Sequence, residues 1–309
     1  MKQIITVTLN PALDLTGNLS ELVLGQVNGV THASLRAAGK GINVASVLAQ
    51  FGHQVTVTGF LGRDNDRDFC QLFSSLGMID AFIRVDGKTR TNIKLAERSG
   101  RVSDINFPSF NVSGAEQQRL LNKLTTLADG NCLVVIAGSL PDGVEPNYMV
   151  ELISCAKAVG AQVYVDTSGA ALKAALTSEA DLFKPNLDEL AQVLGVTAET
   201  ERVVLAAKNI LASNQQSLVL SAGADVLYSW GELGQFHCQP PEVRVESTVG
   251  AGDTLVAGLC LGWLYDDMPQ GCLTRACALA AWAVTQHGVD IPNDYKLAEL
   301  MAKVVIKPH

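Results

Sequence analysis

The chain has 309 residues, of which 48% are hydrophobic and 17% charged, and its formal net charge is -8. This composition excludes a largely disordered protein, and the length suits one α/β domain with a small appendage. The negative charge argues against nucleic acid or an anionic membrane as a partner, so an anionic substrate would need a local basic cluster.

The cysteines indicate the compartment. All seven are scattered without a C-x-x-C pair, so neither a disulfide framework nor a zinc site is predicted. A reducing compartment is the simpler setting. The first residues lack the apolar core of a signal peptide, and no run approaches the roughly 18 apolar residues of a membrane span. We therefore expect a cytoplasmic protein.

Short apolar runs alternate with helical patterns along most of the chain. In chain order the pattern predicts strands at 4–9, 55–59, 133–137, 163–166, 181–184 and 218–221. It predicts helices at 41–51, 115–128, 145–159 and 202–212, and two apolar helices at 251–265 and 270–286. Such alternation is typical of a parallel sheet covered on both faces. We predict one α/β domain over residues 1–309 with a mainly parallel sheet.

Residues 82–107 break this alternation. Polar and apolar residues alternate there around two glycine turns, with no helix between the short strands. We interpret this meander as a small β appendage that residues 12–35 join. Over a cleft it would act as a lid, and its apolar outer face would pair two copies into a homodimer. A simple hairpin on the sheet edge is the alternative.

The strongest chemical signal is T-V-G-A-G-D-T at 248–254, directly before an apolar helix pattern. Gly250, Ala251 and Gly252 have little side-chain bulk, so several backbone N–H groups can point at one anion beside a helix N-terminus. Asp253 would repel that anion unless it has another task, such as accepting the proton of an attacking hydroxyl. An ordinary helix start, in which Asp253 favours the helix dipole, is the alternative.

A second glycine-rich segment, A-A-G-K-G-I-N-V-A at 37–45, also opens a predicted helix. Lys40 offers a positive charge, and Asn43 has donors and acceptors that suit sugar hydroxyls. The segment is neither a Walker P-loop nor a G-x-G-x-x-G fingerprint. Glycines that allow close helix–strand packing, with a solvated Lys40, are the alternative.

Residues near the predicted appendage could bind an anionic sugar. Arg90, Asn92 and Lys94 alternate along one face of a predicted strand and supply a basic cluster. An arginine fork with a nearby ammonium suits a phosphate monoester. Asp14 follows the first buried strand, where open α/β sheets bind ligands. Solvated edge charges and a turn-forming aspartate are the alternatives.

Asn186 and Glu189 follow Lys184 and Pro185 at the end of a predicted strand. Asn followed three residues later by Glu is the pattern of a helix capping box. The same residues could contact nucleotide phosphates and hold Mg²⁺ through water, with Lys184 reaching the ATP phosphates. The two interpretations are compatible.

Together these segments resemble the ribokinase-like (PfkB) family of carbohydrate kinases. The matching segments occur in the family's order: T-L-N-P-A-L-D at 8–14, G-K-G-I-N-V-A at 39–45, T-R-T-N-I-K at 89–94, G-S-L-P at 138–141, K-P-N-L-D-E at 184–189 and V-G-A-G-D-T at 249–254. Thr254 stands where many relatives have Ser. Residues 37–41 most resemble the bacterial members that act on fructose 1-phosphate.

The resemblance implies a three-layer α/β/α domain with a small β-sheet lid that also pairs two subunits. It implies MgATP as donor and a ketose phosphate as acceptor. We expect fructose 1-phosphate to become fructose 1,6-bisphosphate, with tagatose 6-phosphate and fructose 6-phosphate as alternative acceptors. A non-catalytic sugar-phosphate sensor is a further alternative, although Asp253 argues against it. A dinucleotide-dependent oxidoreductase is another, although G-x-G-x-x-G is absent.

The resemblance and the residue chemistry together assign roles by position. Asp253 is the expected general base, and the amides of Gly250, Ala251 and Gly252 form the expected anion hole. The expected acceptor-binding residues are Asp14, Gly39, Lys40, Asn43, Arg90, Asn92, Lys94 and Ser139, with Arg90, Lys94 and Lys40 on the acceptor's phosphate. The expected nucleotide-binding residues are Lys184, Asn186, Ser221, Ala222, Gly223, Ala224, Asp225, Val226 and Gly252, with Glu189 as a magnesium ligand through water.

Overall fold

One large sheet gathers strands from the whole chain, and helices lie between them in sequence. A computed structural model describes residues 2–211, 216–223, 226–286 and 288–308. The strands are β1 (Gln3–Thr8), β2 (Ala12–Leu19), β3 (His32–Ala38), β4 (Val55–Gly62), β5 (Ile79–Asp80), β6 (Ile83–Val85), β7 (Arg90–Glu97), β8 (Val102–Ile105), β9 (Cys132–Ala137), β10 (Gln162–Asp166), β11 (Leu182–Phe183), β12 (Ser217–Ala222), β13 (Val226–Trp230), β14 (Phe236–Gln239) and β15 (Val305–Pro308). The α-helices are α1 (Lys40–Gln50), α2 (Arg67–Ser75), α3 (Gly114–Leu127), α4 (Asn147–Ala158), α5 (Gly169–Ala175), α6 (Leu187–Leu194), α7 (Thr200–Leu211), α8 (Ala251–Leu264), α9 (Pro269–Ala283) and α10 (Asp294–Met301).

The sheet is parallel in its centre and antiparallel at one edge. Its strand order is β15-β14-β13-β12-β11-β10-β9-β1-β4-β5, with β6 also paired to β4. The neighbours from β12 through β11, β10, β9 and β1 to β4 run parallel, whereas β12 to β15 pair antiparallel. After β1 the chain adds β4 on one side of it, and later adds β9, β10 and β11 on the other side. The boundary between β1 and β9 is therefore the topological switch point, where open α/β sheets bind ligands.

Helices cover both faces of the sheet because its central strands are apolar on both sides. In β1, Ile5 and Val7 pack into a core with α3 to α7, while Ile4 packs into a second core with α1, α2, α8, α9 and α10. The predicted α/β/α fold with a mainly parallel sheet is therefore confirmed. No helix in the described ranges is both long and apolar enough to cross a membrane.

Helices α8 and α9 pack closely, as their apolar composition predicts. A Cβ atom on Gly258 would lie only 2.5 Å from Cα of Ala276 on the neighbouring helix. Glycine at this position thus lets the two backbones touch. The close contact fixes α8, whose first turn carries Asp253, against the body of the domain.

A separate small sheet has the order β3-β2-β7-β8. Residues of even number share one face, where Asp14 lies opposite Arg36 and Asn92, and Lys94 lies opposite Asp104. The predicted small sheet is thus confirmed.

The strand Ile83–Val85, which the alternating pattern grouped with the small sheet, pairs instead with β4 in the large sheet. Ile83 and Val85 are buried in the larger core. A three-residue run has no periodicity that could distinguish these two partners.

Candidate active site

Polar side chains lie at the carboxyl ends of four neighbouring strands. In the order β11, β10, β9 and β1, the strand ends carry Lys184, Asp166, Ser139 and Asn10. The loop after β9 is hydrogen-bonded to the loop after its neighbour β10, because Thr167 Oγ1 donates to the Gly138 carbonyl over 2.8 Å. The edge that open α/β sheets use for ligands therefore presents one continuous row of polar groups.

Asp253 lies above this edge in the first turn of α8. The N-cap residue of α8, Gly250, has φ 81°, a left-handed conformation that glycine adopts without strain. The Asp253 side chain is buried at 7% exposure and accepts a hydrogen bond from Asn43 Nδ2 over 2.7 Å. Amides in the first turn of a helix lack intrahelical acceptors, so they remain able to bind an anion beside this carboxylate.

The surroundings of Asp253 adjust its acidity. Burial raises its pKa to about 7, and the neighbouring Asp166 carboxylate adds to the rise. The Asn43 hydrogen bond and the positive charges of Lys40 and Lys184 act in the opposite direction. A carboxyl group with this pKa can accept and release a proton near neutral pH.

Two lysines converge on Asp166. Lys40 Nζ lies 3.1 Å and Lys184 Nζ 3.4 Å from Asp166 Oδ1. Lys40 Nζ also lies 3.7 Å from Glu189 Oε1. Although burial lowers the pKa of Lys40, the charges of Asp166, Glu189 and Asp253 raise it well above its ordinary value. Lys40 is thus cationic.

Lys184 also contacts the start of α8. Its Nζ lies 3.5 Å from the position that a Cβ atom on Gly252 would take. Lys184 is itself buried. The ammonium group of Lys184 therefore lies beside the first turn of α8, a position that suits a phosphate oxygen.

Sequence reasoning missed Asp166. Its side chain is 1% exposed, and its Oδ2 has no hydrogen-bond partner in the part of the chain that the structure describes. The available signal was an aspartate that ends the buried run V-Y-V-D at 163–166, the same kind of position that drew attention to Asp14.

The side chain of Lys40 is held by carboxylates, and its predicted role on the acceptor's phosphate stays a prediction. Its ion pairs are with Asp166 and Glu189, beside Asp253. Helix α1 begins at Lys40 itself, and the side chain extends from the helix start toward the carboxyl end of β10 and the first turn of α6. Position in sequence next to Gly39 could not reveal this direction.

The glycines around Lys40 serve close packing. A Cβ atom on Gly39 would lie 2.8 Å from Thr8 Cγ2, and one on Gly41 would lie 2.5 Å from Thr8 Oγ1. Helix α1 therefore starts directly against the end of β1. Contact between Gly39 and the acceptor stays a prediction.

The nucleotide-binding prediction covers two neighbouring segments. Asn186 and Glu189 form a complete capping box at the start of α6. Asn186 forms a β-bridge with Ser221, and Ser221 N donates to the Pro185 carbonyl over 3.2 Å. Ala222, Gly223 and Val226 continue the β12–β13 turn, whereas Ala224 and Asp225 lie outside the described residues. The roles of these residues toward ATP stay predictions.

Asp14, Arg90 and Asn92 form a second polar group on the small sheet. Asn92 Nδ2 donates to Asp14 Oδ1 over 3.4 Å, and Arg90 Nη2 donates to the Asn10 carbonyl over 3.3 Å. Burial raises the pKa of Asp14 and lowers the pKa of Arg90. A half-buried guanidinium whose positive charge is only partly balanced by neighbouring carboxylates can accommodate an anion.

Lys94 shares this face but is already engaged. Its Nζ lies 2.9 Å from Asp104 Oδ1, directly across the β7–β8 pair. An ammonium group has three donors, so Lys94 could still bind the acceptor's phosphate beside Asp104, and this role stays a prediction.

Comparison with known proteins identifies the family. Residues 7–296 match the pfkB family of carbohydrate kinases, and the chain belongs to that family. The predicted membership is confirmed.

Individual relatives match over nearly the full length. The chain is 46% identical over 306 residues to 1-phosphofructokinase from Vibrio cholerae, which covers 99% of this chain and 96% of the relative. It is 40% identical over 308 residues to 1-phosphofructokinase from Escherichia coli strain K12, with 99% of each chain covered. The crystal structure of phosphofructokinase-2 from Escherichia coli in complex with potassium has a TM-score of 0.90 and 27% identity, and covers 98% of this chain and 99% of that one.

Proposed function

We propose that this chain transfers the γ-phosphoryl group of ATP to fructose 1-phosphate and forms fructose 1,6-bisphosphate. The observation that carries the proposal is the buried Asp253 carboxyl at the start of α8, with its pKa raised to about 7 and with Asn43 and two lysines around it. The similarity to two 1-phosphofructokinases over 99% of the chain supports the choice of acceptor.

Asp253 acts as the base in this proposal. The free primary hydroxyl of the acceptor gives its proton to Asp253 as its oxygen attacks the γ-phosphorus. The bond from that phosphorus to the β,γ-bridging oxygen breaks, and ADP leaves with the electron pair. Asn43 holds one carboxylate oxygen, Oδ2, so the other remains available for the proton. Such general-base assistance contributes roughly 10²–10⁴-fold to the rate.

The transferred phosphoryl group meets positive groups on several sides. The amides of Gly250, Ala251 and Gly252 would bind its oxygens in this proposal, which requires the Ala251 amide to release its long 3.4 Å hydrogen bond to the Thr248 carbonyl. Lys184 Nζ lies beside the same helix start, and Lys40 Nζ contacts the same carboxylate, Asp166, as Lys184. Phosphoryl transfer requires mainly such positioning and charge stabilisation. Removal of either lysine should therefore lower kcat more than it weakens acceptor binding.

Magnesium fits the acidic members of this cluster. Asp166 Oδ2 is buried without a hydrogen-bond partner among the described residues, and Mg²⁺ prefers carboxylate oxygens, phosphates and water. Asp166 and Glu189 would hold it, with Glu189 acting through water. When bound, the ion neutralises charge on the ATP phosphates. The described residues contain no group of three or more His, Cys, Asp or Glu that could hold a metal ion.

The second polar group binds the acceptor in this proposal. Arg90 contacts its existing phosphate, while Asp14 and Asn92 contact its hydroxyls. The three side chains come from neighbouring strands of the small sheet, which would cover the acceptor as a lid and exclude water that could otherwise be phosphorylated.

The opposite face of the small sheet suits a second copy of the chain. Leu35 and Ile105 project from it at 50% and 46% exposure. We propose that two chains pair through this face.

All seven cysteines are free thiols, which agrees with the reducing conditions of the cytoplasm.

The test is a parallel assay with ATP and three acceptors: fructose 1-phosphate, tagatose 6-phosphate and fructose 6-phosphate. We expect the highest kcat/KM with fructose 1-phosphate. A higher value with either other acceptor would reassign the substrate, and phosphorylation of none would reject the kinase activity in favour of a sugar-phosphate sensor.

A further inference from the structure

Asn10 links the ends of β1 and β9, the two strands at the topological switch point of the sheet. It follows β1 and is 8% exposed. Its Nδ2 donates hydrogen bonds to the Leu140 carbonyl over 3.0 Å and to Ser139 Oγ over 3.2 Å, both in the loop after β9. A backbone carbonyl can only accept, so the amide nitrogen must face this loop. The side-chain oxygen is thereby directed away from it.

That oxygen is unsatisfied. Asn10 Oδ1 is buried and accepts no hydrogen bond from any residue in the described ranges. A buried acceptor without a donor is costly, and such exceptions in a folded protein commonly mark a ligand or water site. Two atoms of the acceptor-binding group, Arg90 Nε and Asn92 Oδ1, are likewise buried without a hydrogen-bond partner in the part of the chain that the structure describes. Arg90 also donates to the Asn10 backbone carbonyl.

We infer that Asn10 is a specificity-determining residue whose Oδ1 accepts a hydrogen bond from a non-reacting hydroxyl of the acceptor sugar. The inference rests on the proposed function, because it needs a sugar phosphate bound beside Arg90, Asn92 and Ser139. The same side chain positions Ser139: because Asn10 Nδ2 donates to Ser139 Oγ, the hydroxyl proton of Ser139 stays free to donate to the acceptor.

Access to Oδ1 requires a side-chain movement, since the atom is closed to solvent. In this inference the side chain that moves is Arg90, which contacts the Asn10 backbone. Its hydrogen bond to the Asn10 carbonyl is long at 3.3 Å, and the phosphate of an arriving acceptor would attract its guanidinium. Binding of the phosphate would then open Oδ1 to the sugar hydroxyl.

A double-mutant cycle between protein and substrate tests this inference. Steady-state kinetics are measured for the wild type and Asn10→Ala with fructose 1-phosphate and with three analogues that each lack one hydroxyl, at C2, C3 or C4. In the wild type, one analogue should lose about tenfold in kcat/KM, the scale of one hydrogen bond. In Asn10→Ala that analogue and the parent should react within about twofold of each other, and KM for ATP should change by less than about twofold.

If removal of each hydroxyl lowered kcat/KM by the same factor in Asn10→Ala as in the wild type, the inference would be wrong, although the kinase activity would still stand. A wild type that does not phosphorylate fructose 1-phosphate would instead reject the proposed function. Thermal unfolding of Asn10→Ala checks its fold. If that variant does not fold, Asn10→Ser replaces it, because a serine hydroxyl is too short to restore the contact and should show the same loss of discrimination.

Discussion

Asn43 donates a hydrogen bond from Nδ2 to Oδ2 of Asp253 over 2.7 Å, although 210 residues separate them in the chain. Asn43 lies in the first turn of α1 and Asp253 in the first turn of α8, and these two helices pack together. Two glycine-rich helix starts thereby form a single site. The bond orients the carboxylate and lowers its pKa against the effect of burial.

Replacement of Asp253 by Asn should lower kcat by about 100-fold or more, because the amide cannot accept the hydroxyl proton. The affinity for ATP, measured by calorimetry, should change by less than about threefold, since the backbone amides and both lysines remain. Asp294→Asn is a matched control, as Asp294 is an exposed aspartate in the first turn of α10. Turnover of Asp253→Asn at the wild-type rate would exclude Asp253 as the base.

The activity should fall as the pH drops below about 7. Since burial raises the pKa of Asp253 to about 7, its active ionised form is lost as the pH falls through that value. Lys40→Met removes a positive charge that lowers this pKa, so the acidic limb of the kcat/KM profile should move to higher pH. Lys88→Met, a change at an exposed lysine, serves as control. An acidic limb at the same pH in Lys40→Met and the wild type would contradict the predicted coupling.

Arg90→Ala should raise KM for the sugar phosphate by about tenfold or more, while KM for ATP changes by less than about twofold. The reason is that Arg90 is a half-buried guanidinium whose side chain donates, among the described residues, to the Asn10 carbonyl, while Asp14 and Asp142 act on it only through their charge. Its remaining donors can therefore bind the acceptor's phosphate. Arg98→Ala, at an exposed arginine just beyond β7, should leave both constants unchanged. Equal increases in both KM values would show that Arg90 does not discriminate between the two substrates.

Gly258→Ala should destabilise the protein by about 1–3 kcal/mol, the usual cost of overpacking. The added methyl group would lie 2.5 Å from Cα of Ala276, so α8 and α9 would have to separate. Gly271→Ala in α9 is the matched control, because its methyl group would meet the Asp267 side chain at ordinary contact distances, Cβ at 3.7 Å and Cγ at 3.8 Å. Urea unfolding should show a loss for the first variant and none for the second. Equal stability of the two variants would disprove the tight contact.

The sequence by itself determined the parts of this protein that depend on local order. Continuous apolar runs between helical patterns predicted the parallel sheet, and Asn186 with Glu189 predicted the capping box, because strand burial and helix capping act over a few residues. The two glycine-rich segments were likewise visible as helix starts, and the order of motifs was enough to indicate the family.

Only the tertiary structure decided which charges meet. Asp166 joins Lys40 across 126 positions in sequence, and Lys94 takes Asp104 as its partner. Likewise Ile83–Val85 pairs with β4 because the adjacent place in the large sheet is open to it, which no pattern within three residues can express. Ion pairs and strand partners depend on distances between side chains and backbones that the fold sets, and spacing along the chain does not contain those distances.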